Sequence, residues 1–215
     1  MICVAISNSD YRQCLATLQG IEMAEIRLDL TGFDEETIDL VFSGKVPLIA
    51  TCRPDSMSES QQYKLLHRAI VAGAKYVDIE LEASDEQRQR IVDLARRHEC
   101  KVIISYHNYS ETPGMRELFE IIDSCFAKGA DIAKLATMVH NRVDNARLMS
   151  LYSDSRPLVA IGMGEEGKLS RVMAPLLGAS FTFAAADGEV GTAPGQISYS
   201  DMKAIMAELS KYLTA

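Results

Sequence analysis

A few residues have types and settings that suit covalent and proton-transfer chemistry. Lys134 stands in Ala-Asp-Ile-Ala-Lys-Leu-Ala (130–136), among small and apolar neighbours. Desolvation there, or a nearby cation such as Arg27 or Arg53, lowers a lysine pKa and frees an amine able to form a Schiff base with a carbonyl. The same spacing equally suits a structural lysine paired with Asp78 or Glu80. His107, in Ser-Tyr-His-Asn-Tyr (105–109), has the side chain best matched to proton transfer near neutral pH. His67, His98 and His140 fall in helical or loop segments and read as surface residues. Arg27, Arg53 and Arg171 bring guanidinium groups that grip carboxylates in bidentate fashion, so a small anionic substrate fits. Arg27 and Arg53 also have Glu25, Asp29, Asp78 and Glu80 as counter-charges.

These groups lie on an alternation of short β-branched runs and amphipathic stretches. The runs 2–7, 24–30, 47–53, 76–81, 101–107, 132–137, 158–163 and 181–185 read as strands. Helical patterns lie near 10–19, 34–43, 58–72, 84–98, 114–128, 141–151, 167–177 and 199–212. Gly20, Gly73 and Gly129 stand where helices should stop, and Ser84…Gln87 reads as a capping box. Eight β-then-α units allow a doubly wound open sheet or a closed (β/α)8 barrel.

The strand faces decide between them. A doubly wound sheet is covered on both sides, so its strands should be apolar throughout. Here Glu25, Arg27 and Asp29 share one face of the second strand. Thr51 and Arg53, Asp78 and Glu80, Ser105 and His107, and Lys134 do the same on the next four. Charges from five strands can pair only if the sheet closes on itself, because an isolated buried ion costs several kcal/mol or more. The reading is therefore an α/β protein, a (β/α)8 TIM barrel, built as a single compact domain over residues 1–215.

Composition agrees with that class. The chain has 215 residues, 47% of them apolar and 24% charged, which suits a globular domain with a full core. A net charge of −8 with no basic cluster argues against nucleic acid as partner. No apolar run approaches a membrane span, and Met-Ile-Cys-Val-Ala-Ile-Ser-Asn-Ser-Asp lacks a signal peptide's basic start. Five widely spaced cysteines with no CxxC pair read as reduced thiols, so a cytoplasmic location is expected. Gly162-Met-Gly-Glu-Glu-Gly167 matches a dinucleotide fingerprint, with Asp187 at a suitable distance. Two glutamates in that loop would repel a pyrophosphate, and only 28 residues follow Asp187. In a barrel, these glycines rather make room for a substrate anion.

At motif level the chain resembles the type I 3-dehydroquinate dehydratases, Schiff-base enzymes of the shikimate pathway. The resemblance spans almost the whole chain. It rests on Glu-Ile-Arg-Leu-Asp (25–29), Ser-Tyr-His-Asn (105–108), Ala-Asp-Ile-Ala-Lys (130–134), Met163-Gly…Gly167…Ser170-Arg171 and Ala193-Pro-Gly-Gln196. It implies dehydration of 3-dehydroquinate to 3-dehydroshikimate, the third step of that pathway, with no cofactor and no metal. Lys134 would form the imine and His107 would act as general acid and base. Arg171, Gln196 and the Ala193 backbone would hold the substrate carboxylate. Glu25, Arg27 and Arg53 would contact ring hydroxyls, Thr192 takes a place often held by Ser, and Met163 and Phe183 would pack on the ring. The partners implied are the small anionic substrate and a second copy of the chain in a homodimer, with neither nucleic acid nor membrane. Three departures stand out. Met57 replaces a glutamate that orients the histidine, so either Glu59 takes that task through a shifted loop or the histidine is oriented otherwise; Ile161 replaces a methionine; and the Asp187–Gly191 loop is longer. Another Schiff-base barrel, such as an aldolase acting on a keto acid, and a non-catalytic acid-binding barrel are the rival readings.

Overall fold

The structure is a computed structural model that describes residues 1–54 and 57–213. Among these residues one sheet holds the strands β1 Ile2–Ile6, β2 Met23–Arg27, β3 Leu48–Thr51, β4 Tyr76–Glu80, β5 Lys101–Asn108, β6 Ile132–Met138, β7 Leu158–Met163 and β8 Thr182–Ala185. Their order is β7-β6-β5-β4-β3-β2-β1-β8, and every neighbouring pair is parallel. Among the described residues β7 and β8 share no ladder. Their seam is bridged by the Ser180 N–H, which donates to the Leu158 carbonyl at 3.0 Å. The result is the expected TIM barrel, nearly closed.

Helices fill the return paths: α1 Tyr11–Thr17, α2 Leu28–Thr31, α3 Glu35–Phe42, α4 Glu59–Ala72, α5 Asp85–Arg97, α6 Met115–Ala127, α7 Arg142–Ser150, α8 Lys168–Met173 and α9 Tyr199–Leu213. Among the described residues no helix is long and apolar enough to cross a membrane. The reciprocal capping box falls at Ser58 and Gln61, which open α4, rather than at Ser84. Ser84 does accept the Gln87 N–H, but the Gln87 amide turns inward to Gln62 Oε1 at 3.0 Å. A buried partner outweighs the local cap. The second strand also stops sooner than its apolar alternation predicts. Arg27 folds onto Asp29, with Nε–Oδ1 3.0 Å and Nη2–Oδ2 2.6 Å, and the chain turns into α2.

Period two separates two cores. Outward residues such as Ile26, Ala50, Val77, Ile104 and Leu135 pack with Ile38, Leu66, Ile91 and Leu118 of the helices. Each such aliphatic side chain contributes roughly 1.5–3 kcal/mol on burial. Inward residues Cys3, Met23, Ile49, Ile103, Ile132, Val159 and Phe181 form a second apolar cluster inside the barrel. Further along the same strands, the inward positions become Glu25, Thr51, Asp78, Ser105 and Lys134, all buried. Register then sets Asp78 beside Thr51, Ser105 beside Glu80, and Lys134 beside Ser105.

The glycine motif at 162–167 is a packing device. A Cβ on Gly167 would lie 2.5 Å from the Gly162 carbonyl carbon and 2.6 Å from the Met163 carbonyl oxygen. Ser170 Oγ locks the turn, accepting the Gly162 N–H at 2.6 Å and donating to the Gly167 carbonyl at 2.7 Å. Because the crowding atoms are backbone, Gly167→Ala should cost about 1–3 kcal/mol, read as a lower urea midpoint at unchanged m-value.

Candidate active site

The C-terminal ends of the strands surround a cleft of about 420 Å³, partly open to solvent. It is lined by Glu25, Arg27, Arg53, His107, Lys134, Met163, Arg171, Phe183, Thr192, Ala193 and Gln196. All the substrate-binding and reacting positions singled out in the sequence thus meet in one place. Tyr109, Ala136 and Ile161 complete the wall.

At its floor, Asp78 is shared by three donors. Its Oδ1 accepts from Arg53 Nη1 at 2.9 Å and Ser105 Oγ at 2.6 Å, and its Oδ2 accepts from Lys134 Nζ at 2.8 Å. Burial disfavours the Asp78 carboxylate, but Arg53 and Lys134 more than offset this and hold its pKa well below the usual range. Burial likewise opposes the Arg53 charge, which Asp78, Glu25 and Glu80 overcome, raising its pKa. Lys134 Nζ reaches Glu25 Oε1 at 3.4 Å, and Thr51 Oγ1 donates to that same oxygen at 2.9 Å. The ammonium also stands 4.4 Å from the centroid of the Phe183 ring, a cation–π contact. The predicted pairing of Lys134 with Asp78 is therefore present, at a lysine only 4% exposed.

His107 closes β5 at the rim. Burial chiefly, with help from the Arg53 guanidinium, pushes its pKa from 6.5 down to about 4, against the pull of Glu80. The ring is thus neutral near pH 7 and able to take a proton. Glu80 Oε1 lies 3.3 Å from its Nδ1, and Arg53 Nη2 lies 3.5 Å from its Nε2. Tyr109 stacks on it, with ring centroids 6.3 Å apart. Glu59 is not brought to this histidine. Its Oε2 accepts from Ser84 Oγ at 3.2 Å, and it lines a separate cavity with Cys52, Gln62, Glu80 and Glu82. Met57 turns its sulfur to Cys52 Sγ at 3.8 Å.

Arg27 and Arg171 face the cleft in different states. Arg27 binds Asp29 through two nitrogens, as described above. Arg171, in α8, is wholly buried, and among the described residues its side chain makes one hydrogen bond, from Nη2 to the Pro194 carbonyl at 3.3 Å. Its Nε and Nη1 are buried without a partner among the described residues. Burial alone lowers its pKa to about 10. A buried cation with unused donors is a ready receptor for a carboxylate. Gln196 and Thr192 close the adjacent wall, the Thr192 N–H donating to Gln196 Oε1 at 2.7 Å. The whole segment is pinned by the Gly164 N–H, which donates to the Pro194 carbonyl at 3.2 Å. Gly195 crosses so closely there that a Cβ would collide with the Gly164 carbonyl oxygen. Sequence reasoning missed Tyr109, although its place two residues beyond His107 was a usable signal.

Known proteins resemble the chain over nearly its whole length. A family profile described as type I 3-dehydroquinase matches residues 2–212. The 3-dehydroquinate dehydratase of Desulfotalea psychrophila is 36% identical over 220 residues, covering 96% of each chain. That of Methanosarcina barkeri is 37% identical, covering 89% of this chain and 86% of its own. A crystal structure of type I 3-dehydroquinate dehydratase from Clostridium difficile with covalently modified comenic acid superposes with a TM-score of 0.86. It is 25% identical, and the match covers 99% of this chain and 92% of that one.

Two measurements check the electrostatics. Replacing the bond-poor buried guanidinium in Arg171→Met should raise stability by about 1 kcal/mol or more, seen as a higher urea midpoint without ligand. Unfolded histidine protonates near pH 6.5, whereas His107 in the fold stays neutral to about 4. Between those values the unfolded chain binds more protons, so stability falls as pH drops from 6.5 toward 4. His107→Asn should lose less stability than the wild type over that window.

Proposed function

The chain belongs to the type I 3-dehydroquinase family, and from that premise we propose that it dehydrates 3-dehydroquinate through an imine on Lys134, the third step of the shikimate pathway. The observation that supports this most is the pairing of opposites in one cleft. A buried, carboxylate-bound amine and a neutral imidazole stand with a buried guanidinium whose donors are unused.

The substrate carboxylate docks on Arg171, with Gln196 and the Ala193 backbone beside it. Ring hydroxyls meet Glu25, Arg27 and Arg53, while Met163 and Phe183 cover the apolar part of the ring and Thr192 borders it. His107 takes a proton from Lys134, the free amine adds to the ketone, and His107 returns that proton to the departing hydroxyl. Loss of water gives a protonated imine. That cation acidifies the adjacent C–H, so the His107 imidazole suffices to remove the proton. The electron pair left behind expels the β-hydroxyl, which departs as water with the proton His107 returns. Water then hydrolyses the imine, releasing 3-dehydroshikimate and the Lys134 amine. The reading extends, on the family resemblance alone, to a cytoplasmic homodimer.

Borohydride reduction in the presence of 3-dehydroquinate should add ligand mass to the Lys134 peptide. Addition with pyruvate but not dehydroquinate would instead identify an aldolase, and no addition with either would refute imine chemistry. His107→Ala should lower kcat by about a hundredfold or more, followed by the ultraviolet absorbance of the enone product, with the far-UV circular dichroism unchanged.

A further inference from the structure

We propose that Glu80, which the sequence motifs leave without a role, is the residue that positions His107 in this chain. The inference rests on His107 being the proton-transfer group. His107 Nδ1 is buried and, among the described residues, has no hydrogen-bond partner, yet Glu80 Oε1 stands 3.3 Å away. Nε2, on the other side of the ring, faces Arg53 Nη2 at 3.5 Å. A carboxylate only accepts and a guanidinium only donates, so a neutral ring between them keeps its proton on Nδ1 and its lone pair on Nε2. Arg53 lines the cleft, whereas Glu80 stands outside that lining, on the wall of the neighbouring cavity. The basic nitrogen is thereby presented on the substrate side and the protonated one on the protein side. At 3.3 Å the pair stands within hydrogen-bond reach, and such bonds are commonly loose before substrate is bound.

Glu80 is itself held in place. Arg53 Nη1 donates to the same Oε1 at 3.2 Å, so one oxygen links guanidinium and imidazole. The other charged and titratable groups around the ring are Arg53 from the end of β3, Asp78 from β4, Lys134 from β6 and Tyr109 beyond β5. Asp78 is already occupied by Arg53, Ser105 and Lys134. Met57 and Glu59, four and six residues after Arg53, turn to Cys52 and Ser84. Among the described residues this leaves Glu80 as the carboxylate at Nδ1.

The test is the pH dependence of 3-dehydroquinate turnover by the whole chain bearing Glu80→Gln. We expect kcat to fall about tenfold or more while KM changes less than about twofold, because Glu80 does not touch the cleft. The acid limb of kcat/KM should move to lower pH, since a carboxylate that favours imidazolium has been removed. Glu80→Asp should recover part of the rate. An unmoved acid limb with near-normal kcat overturns the assignment, as does the same displacement appearing in Glu59→Gln instead. A purely structural part would lower the thermal midpoint without moving that limb, and this also overturns it. Borohydride trapping on wild-type Lys134 keeps the two readings apart: its failure refutes the imine, whereas intact trapping beside an unaffected Glu80→Gln refutes only the role of Glu80.

Discussion

Asp78 is the point on which the interior depends. One buried carboxylate bonds Arg53 and Lys134 together and takes a third bond from Ser105, while Glu25 and Glu80 supply further negative charge. Those three donors come from three other strands or their ends, so the network exists only when the sheet has curled far enough to bring β3, β4, β5 and β6 around a common axis. Attraction within a low-dielectric space offsets the large cost of dehydrating each ion, but only while every partner is present. Closure and charge burial are therefore one requirement seen from two sides. The apolar residues below, from Cys3 to Phe181, exclude water from the floor on which that network stands.

The arrangement also reconciles two descriptions of Lys134 that compete at the level of sequence. An amine paired with carboxylates is a structural element, and an amine buried at the base of a cleft is a reagent. Here one set of bonds fits both descriptions, since Asp78 and Glu25 hold the ammonium at the base of the cleft. The acidic excess of the whole chain says little about this interior. Glu25, Asp78 and Glu80 there face Arg53 and Lys134, while Arg171 stands apart with donors free to meet an anion.

Much of the barrel was readable because period two is a strong signal wherever one face is charged. Asp78 and Glu80 on one side, Val77 and Ile79 on the other, specify which way β4 faces. The same rule already set Glu80 beside Ser105 and His107. Spacing along the loop after Arg53 points instead to Glu59, but chain direction there is unconstrained by periodicity, and Glu59 turns to Ser84. Local chemistry misled in two other places. Leu28 and Leu30 continue a strand-like alternation, yet the Arg27–Asp29 clasp bends the chain into a helix. Ser84 and Gln87 have the spacing of a capping box, yet Gln87 finds a better partner in Gln62. Bonds between neighbours in sequence are visible in advance only when no tertiary partner competes for the same group.

The seam between β7 and β8 has a consequence for how the barrel breathes. Elsewhere each strand is laced to both neighbours, but here, among the described residues, the backbone bond from Ser180 to Leu158 spans the gap and α8 packs on both β7 and β8. Thr182 of β8 donates to the Arg171 carbonyl at 2.7 Å, and the Arg171 side chain reaches toward Pro194. An anion seated on that guanidinium would draw together β7, α8 and the segment after β8, acting as a rivet at the weakest circumferential joint. Occupancy of the cleft and integrity of the hoop are then thermodynamically linked, and slow amide exchange around the ring becomes a property of the liganded molecule.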